Sequence, residues 1–243
     1  MNRKVFNKLL NLVARYRLEK LLPEMRGELI SYSKGSNTTG TQPITLYLAV
    51  RDILKYRPKK ILECGTGAST VVLALALKKL KNDDPSYDGK IVSMESVEEW
   101  YKVAVRNLPE KLHDIVSIIH GPRIKYEIAM FRGYMHSNIP IDNYDFVFLD
   151  GPSFEDEFGT SFCADAIYVS EMRRDGILRG VIDGRASSAY VMQQMFGLKA
   201  VRYYLSLLSA SFEIDTSKIR KKLNSTDMVS SVSGKLRLPL NSN

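Results

Sequence analysis

The strongest constraint on the fold of this chain is a ten-residue segment in its first third, where an apolar run gives way to a glycine turn. It reads Ile61-Leu62-Glu63-Cys64-Gly65-Thr66-Gly67-Ala68-Ser69-Thr70. Residues 61–64 have the apolar pattern of a buried strand, and glycine can adopt backbone conformations that other residues rarely take. A helical pattern follows the turn. The segment therefore predicts a strand, a tight turn and a helix whose N-terminal N–H groups face a ligand.

The acid before the turn restricts which ligand can lie there. Dinucleotide-binding folds place a pyrophosphate on a G-x-G-x-x-G turn, with the acidic residue about 20 positions later. Here Thr70 replaces the third glycine, and Glu63 lies two residues before the first one. A carboxylate roughly 5 Å from a pyrophosphate costs about 3 kcal/mol per charge pair at an effective dielectric of ~20. The same charge attracts an ammonium and a sulfonium, and S-adenosylmethionine has both.

This stretch resembles motif I of the class I S-adenosylmethionine-dependent methyltransferases, an acid-x-Gly-x-Gly turn after the first strand. Ile91-Val92-Ser93-Met94-Glu95 is similar to that family's second strand, whose last acid binds the ribose diol. Tyr144-Asp145-Phe146-Val147-Phe148-Leu149-Asp150-Gly151-Pro152 is similar to its motif IV, whose last acid faces the transferable methyl. The resemblance implies these cofactor-binding residues: Glu63, Gly65, Thr66, Gly67, Ser69, Thr70, Glu95, Ser96, Gly121 near the adenine, and Asp150.

The resemblance covers residues 45–215 and also implies the fold. Residues 114–120 and 177–183 are expected as the third and fifth strands, and residues 199–208 and 211–215 as a closing antiparallel pair. The expected fold class is α/β, a doubly wound, mostly parallel seven-stranded sheet with an antiparallel last strand, plus an N-terminal amphipathic helix. Three parts are expected: an N-terminal helix and flexible loop (1–44), a methyltransferase domain that binds S-adenosylmethionine (45–215), and a basic polar tail (216–243).

Asp150 and Asp183 are the candidate catalytic residues. They end the expected fourth and fifth strands, and neighbouring strands lie about 4.8 Å apart. A hydroxyl acceptor needs a general base or a metal. The pair is similar to two metal-binding acids of catechol-type O-methyltransferases, so Mg²⁺ held by Asp150 and Asp183 stays open, although Gly184 replaces that family's Asn ligand. A role for Asp183 as a turn cap is also open.

The expected substrate is a small molecule or a carbohydrate, methylated on oxygen. Leu149-Asp150-Gly151-Pro152 is similar to a short motif of sugar-acid O-methyltransferases. The aromatic-rich residues 123–143 are expected to form part of the substrate wall, although packing against the sheet would give a similar pattern. Arg132 and Arg185 could bind a substrate carboxylate, with a solvated surface position as the default.

The net charge of +8 lies at the two ends of the chain. Residues 1–26 hold seven Lys and Arg against two acids, and residues 216–243 hold six against one. Because nucleic-acid enzymes concentrate positive charge around the active site, we expect no nucleic-acid partner. The N-terminal helix would dock on the domain, on a second subunit of a homodimer, or on an anionic membrane. Its apolar residues at helical spacing are Phe6, Leu9, Leu10, Val13, Tyr16 and Leu21.

Cysteine usage and hydropathy give an expected compartment. Cys64 and Cys163 provide no disulfide framework, and charged residues interrupt any apolar stretch that a signal peptide or membrane span would need. A cytoplasmic location is therefore expected. Two other function classes stay open: an oxidoreductase that binds a nicotinamide dinucleotide on the same turn, and a non-catalytic module that binds a membrane or a partner through the basic ends.

Overall fold

The computed structural model describes residues 3–34, 40–128, 131–156, 159–173 and 175–219. Nearly all of the expected basic tail and part of the expected N-terminal loop lie outside these residues. The helices are α1 (Arg3–Leu21), α2 (Met25–Tyr32), α3 (Pro43–Tyr56), α4 (Ala68–Asp83), α5 (Glu98–Asn107), α6 (Asp165–Met172) and α7 (Ala186–Phe196). The strands are β1 (Lys60–Cys64), β2 (Lys90–Glu95), β3 (Val116–His120), β4 (Arg123–Ile128), β5 (Phe131–His136), β6 (Phe146–Leu149), β7 (Glu155–Asp156), β8 (Gly159–Thr160), β9 (Phe162–Cys163), β10 (Ile177–Asp183), β11 (Val201–Tyr204) and β12 (Ser209–Asp215).

Seven strands form the main sheet in the order β11-β12-β10-β6-β1-β2-β3. β12 runs antiparallel to both of its neighbours, whereas the strands from β10 to β3 in this order pair in parallel. The arrangement confirms the expected fold class, including the antiparallel last strand. Because β1 pairs with β2 on one side and with β6 on the other, the strand order reverses at β1. In open α/β sheets the carboxyl ends of the strands border a crevice at this point.

The main sheet separates two hydrophobic cores, since successive side chains of a strand point to opposite faces. Phe146 and Phe148 of β6 pack in the core that includes α3 and α4, while Val147 and Leu149 pack in the core that includes α6 and α7. All four side chains are fully buried. Burial on both faces explains why β6 is a continuous apolar run in the sequence.

The described part of the aromatic-rich segment 123–143 lies largely in a small sheet beside the main one. β4 and β5 pair as an antiparallel hairpin, β9 adds to β5 in parallel, and the three strands form a small separate sheet. Tyr134, Met135 and His136 are buried, and Met135 belongs to the same hydrophobic core as Leu62 of β1. Part of this segment therefore packs in the core, and its expected place in the substrate wall stays a prediction.

The expected N-terminal helix is present as α1, but its buried face differs from the expected one. Ala14 and Leu18 are buried, and α1 packs against α3. Leu9, Val13 and Tyr16, which the helical spacing assigned to the apolar docking face, are exposed. Among the described residues, no helix combines the length and apolarity that crossing a bilayer requires.

The ends of β1 and β6 meet so closely that only glycine fits at two positions. Gly65 has a φ of +99°, and a Cβ there would lie 2.8 Å from backbone atoms of Asp150 and Gly151. A Cβ on Gly151 would lie 2.6 Å from the Cα of Gly65. The N–H of Asp150 donates to the carbonyl of Cys64 at 2.8 Å. This contact holds the glycine turn against the residue that follows β6.

We predict that Gly65→Ala lowers the free energy of unfolding by about 1 to 3 kcal/mol, because the left-handed φ and the short backbone contacts both oppose a Cβ. Gly67→Ala is the matched control. Its φ of −178° is extended backbone, and nothing lies within 4 Å of an added Cβ, so its stability should stay within about 0.5 kcal/mol of the wild type. Urea unfolding measures both, and equal losses in the two variants would contradict the close-contact explanation.

Candidate functional site

A cavity of about 410 Å³ opens at the carboxyl ends of β1, β2, β6 and β10. Its volume is in the range that holds small molecules and cofactors. The charged side chains on the described part of its wall are four carboxylates and one arginine. The lining residues are Gly40, Thr41, Gly65, Thr66, Gly67, Ala68, Ser69, Glu95, Ser96, Trp100, Asp150, Gly151, Pro152, Ser153, Phe154, Glu155, Asp183 and Arg185. The charge balance of this wall favours a cationic ligand over an anionic one.

Hydroxyl groups behind the glycine turn connect it to β1 and β2. The Thr70 hydroxyl donates to Oε2 of Glu63 at 2.6 Å and accepts from the N–H of Gly67 at 3.0 Å. The Ser93 hydroxyl donates to the same Glu63 oxygen at 2.7 Å, and it lies 2.7 Å from the Thr66 hydroxyl. Hydrogen bonds from side chains of β1, β2 and the start of α4 therefore fix the position of the turn.

Glu63 is completely buried and is not among the residues that line the cavity. Burial raises the pKa of Glu63 from 4.5 to about 7, the hydroxyls of Ser69, Ser93 and Thr70 oppose this shift, and the charge of Asp150 adds to it. A cation bound above the turn would lower this pKa, because it stabilises the ionised carboxylate. The contact between Glu63 and the methionine end of a cofactor stays a prediction.

Glu95 ends β2 on the cavity wall, the place expected for a residue that binds a diol. Its Oε1 accepts the N–H of Val97 at 2.9 Å, and burial raises the pKa of Glu95. Ser96 lies beside it on the wall. Gly121, expected near the adenine, is not among the residues that line this cavity; its N–H donates to the carbonyl of Glu95 at 2.8 Å. Gly121 therefore stays a prediction for the adenine site.

Trp100 of α5 is an aromatic side chain on the cavity wall that the sequence analysis did not single out. Its side chain is 58% exposed. An exposed indole on a cavity wall offers a flat face on which a base can stack. The signal in the sequence was weak, since Trp100 lies five residues after Glu95 in an ordinary helical pattern.

Asp150 and Asp183 both lie on the cavity wall, as the neighbouring positions of β6 and β10 imply. The Thr41 hydroxyl donates to Oδ2 of Asp150 at 2.7 Å, and the Thr45 hydroxyl donates to Oδ1 of Asp183 at 2.6 Å. Burial raises the pKa of Asp150, against the charge of Arg185. Burial and the charge of Asp150 raise the pKa of Asp183 to about 6, against the Thr45 hydrogen bond.

Arg185 lies beside Asp150 and is buried, so the default expectation of a solvated surface position is wrong for this residue. Its guanidinium donates to the backbone carbonyls of Asp150 and Pro152, the second at 3.2 Å. It also lies 3.5 Å from Oδ1 of Asp150 and 4.8 Å from the ring centre of Phe154. Arg185 therefore positions the segment after β6, and its cation partly neutralises the Asp150 carboxylate.

The structure does not support the Mg²⁺ ion that was considered for Asp150 and Asp183. The guanidinium of Arg185 already lies beside Asp150, and one oxygen of each carboxylate binds a threonine hydroxyl. Gly184 supplies no side-chain ligand. Within the described ranges, three ligand-type side chains have ligand atoms within 4.8 Å of one another elsewhere, in a fully buried cluster of Cys64, His136 and Asp165.

Comparison with known proteins supplies structural similarities only, since no family model and no curated protein matches the chain. A methyltransferase from Podospora anserina with bound S-adenosylhomocysteine is 16% identical over 70% of this chain and 67% of its own, with a TM-score of 0.42. A proposed protein-L-isoaspartate O-methyltransferase from Plasmodium falciparum, also with bound S-adenosylhomocysteine, is 13% identical to this chain. The match covers 72% of this chain and 82% of the other, with a TM-score of 0.44. A methyltransferase from Pyrococcus furiosus is 17% identical over 79% of this chain and 98% of its own, with a TM-score of 0.38.

The strand order of the chain itself defines its class of fold. The order from β11 to β3, with β12 antiparallel, is the doubly wound, Rossmann-like α/β arrangement that the resemblance of the sequence implied. The cavity lies at the carboxyl ends of the strands beside the reversal of strand order, where such folds bind their ligands.

Glu63→Gln tests the electrostatic state of the buried acid. The pKa of Glu63 is about 7 in the folded protein and 4.5 ordinarily, so the folded state favours the protonated form. As the pH rises from 4.5 to about 7, the unfolded chain ionises Glu63 and the folded protein does not. The free energy of unfolding of the wild type therefore falls by up to about 3 kcal/mol, at about 1.4 kcal/mol per pKa unit. We predict that Glu63→Gln gains stability over the wild type as the pH rises from about 4.5 to about 8.

Urea unfolding of both proteins at the two ends of this pH range measures the effect. Ser96→Ala is a control for substitution near the glycine turn, on the wall of the same cavity, because it leaves the buried carboxylate intact. A difference between wild type and Glu63→Gln that does not change with pH would contradict the raised pKa.

Proposed function

We propose that the chain is an S-adenosylmethionine-dependent methyltransferase that methylates a hydroxyl oxygen of a small molecule or sugar. The observation that supports it is the charge of the cavity. Glu95, Asp150, Glu155 and Asp183 line it, the acid Glu63 lies beneath its glycine turn, and among the described lining residues the arginine beside Asp150 is the one cation. A cofactor with an ammonium and a sulfonium complements such a wall.

The residues present fit this cofactor. The open backbone at Gly67, where nothing lies within 4 Å of an added Cβ, gives room for a ligand against the turn. Glu95 offers a carboxylate to a ribose diol, and Trp100 offers a face to the adenine. Bound there, S-adenosylmethionine supplies a methyl group already activated by its sulfonium. The protein then has to orient the acceptor and exclude water.

A nicotinamide dinucleotide complements the same cavity less well. On the glycine turn its pyrophosphate would lie above Glu63 in a cavity lined by four carboxylates, and each close pair of like charges costs a few kcal/mol at an effective dielectric of about 20. Arg185, the cation on the wall, already donates to backbone carbonyls after β6. The two cofactors therefore give opposite binding predictions.

A fluorescence titration tests the cofactor directly, because the chain has a single tryptophan and Trp100 lies on the cavity wall. We predict that S-adenosylhomocysteine gives a saturable change of tryptophan emission and that NAD⁺ gives none. Glu95→Ala should weaken the binding of S-adenosylhomocysteine by about 1 to 3 kcal/mol, the loss expected for a charged hydrogen-bond partner.

Glu99→Ala is the matched control, since Glu99 is exposed on α5 and is not among the lining residues. Its affinity should equal that of the wild type. Binding of NAD⁺ with no response to S-adenosylhomocysteine would contradict the proposal, and so would equal effects of Glu95→Ala and Glu99→Ala.

Asp183 is the proposed general base. A hydroxyl is a poor nucleophile until its proton is removed, and a base works best when its pKa is near the working pH. The pKa of Asp183 is raised to about 6 by burial and by the neighbouring charge of Asp150. Asp150, beside Arg185 and Thr41, orients the acceptor or shares its proton. The Thr45 hydroxyl keeps the Asp183 carboxylate on the wall.

We predict that methyl transfer rises with pH through about 6 and then levels, because Asp183 accepts a proton only when it is ionised. Asp183→Asn should lower kcat by about 10² to 10⁴. Thr45→Val removes a hydrogen bond to the carboxylate, so it should move the rise to higher pH. Transfer from S-adenosylmethionine to a panel of phenols, catechols and sugars provides the assay, and an unchanged pH profile in Asp183→Asn would contradict this role.

A further inference from the structure

An apolar stripe on α1 faces solvent. Its members are Val5, Leu9, Leu12, Val13 and Tyr16, which are 58%, 52%, 57%, 41% and 58% exposed. The spacing of three and four residues places them on one side of the helix. Scattered exposed apolar side chains are ordinary, but a contiguous stripe on one element marks an interaction surface.

The stripe lies opposite the face by which α1 packs on the protein. Ala14 and Leu18 are 1% exposed each. At about 100° per residue around the helix axis, both side chains project more than about 120° away from the centre of the stripe. The packed face therefore holds α1 on the domain through α3, while the stripe points outward.

Cations border the stripe. At the same angular spacing, Lys8 and Arg15 project along one edge, Arg17 along the other, and Lys20 at the end of the stripe, where its Nζ lies 4.7 Å from the ring centre of Tyr16. All four basic residues are exposed, although Arg15 also pairs with Glu19 and the Arg17 guanidinium lies 5.5 Å from the ring centre of Tyr47. An apolar stripe with basic borders is the pattern of helices that lie in the plane of a membrane interface.

We propose that α1 docks flat on an anionic lipid bilayer, with the stripe among the acyl chains and the cations at the headgroups. A second copy of the chain fits this surface less well. In a symmetric helix pair the basic borders would face each other, and Glu19, the one acid on α1, already pairs with Arg15 at 3.2 Å. A nucleic acid would contact the cations but leave the stripe exposed to water.

Sedimentation of the full chain with lipid vesicles tests the docking. We expect binding to vesicles with about 30% phosphatidylserine to exceed binding to pure phosphatidylcholine by about tenfold or more. Salt at about 1 M, where the Debye length is about 3 Å, should reduce it. Leu9→Gln with Leu12→Gln should lower it at least about tenfold, since the change removes two of the five apolar side chains of the stripe.

Ile141→Gln is the matched control, because Ile141 is an 87% exposed apolar residue outside α1; it should bind like the wild type. Thermal unfolding of each variant shows that the fold is kept, as expected for exposed positions. Absence of the wild type from the vesicle pellet would overturn the proposal, as would equal binding by the double variant. A wild-type dimer in light scattering that the double variant converts to a monomer would also overturn it, by assigning the stripe to a second copy.

Discussion

The backbone contact between Gly65 and Gly151 is the constraint on which the site depends. Two parallel strands end side by side, and the chain leaves each of them through a glycine that has no room for a Cβ. The contact places Asp150 directly beside the turn that begins α4. A cofactor on the turn and an acceptor at the carboxylate would therefore lie in one cavity. The two glycines of the motif thus have different roles. The space where a Cβ of Gly65 would lie is occupied by protein backbone, whereas the corresponding space at Gly67 is empty.

Buried carboxylates form the second layer of the site. Burial raises the pKa of Glu63 below the turn, and also those of Asp150 and Asp183 on the wall, so that each loses solvation on folding. A cationic ligand returns part of that lost stabilisation, which an anion cannot do. The threonine hydroxyls and the guanidinium of Arg185 orient these carboxylates without removing their charge preference. The wall therefore favours a cationic ligand, because four carboxylates outnumber the one arginine among its described residues.

The residues at the strand ends could be predicted from the sequence, whereas contacts between segments that are distant in sequence could not. Glu95 and Asp150 each follow an apolar run, and parallel strands bring such ends to one edge of the sheet. Arg185 could not be placed in the same way, because its burial depends on the segment after β6 and on the ring of Phe154, which is 31 residues distant in sequence. Periodicity likewise predicted α1 but not which of its two apolar faces would pack. α1 packs against α3 through the face that includes Leu18, and Leu9 lies outward.

A crystal structure of the protein with S-adenosylhomocysteine would show whether the cofactor binds on the glycine turn. We expect the amino-acid end of the ligand over the turn at Gly65 and Gly67, the ribose hydroxyls on Glu95, and the sulfur towards Asp150. An empty cavity at saturating ligand would contradict this expectation, and so would a ligand whose adenine lies against the turn above Glu63.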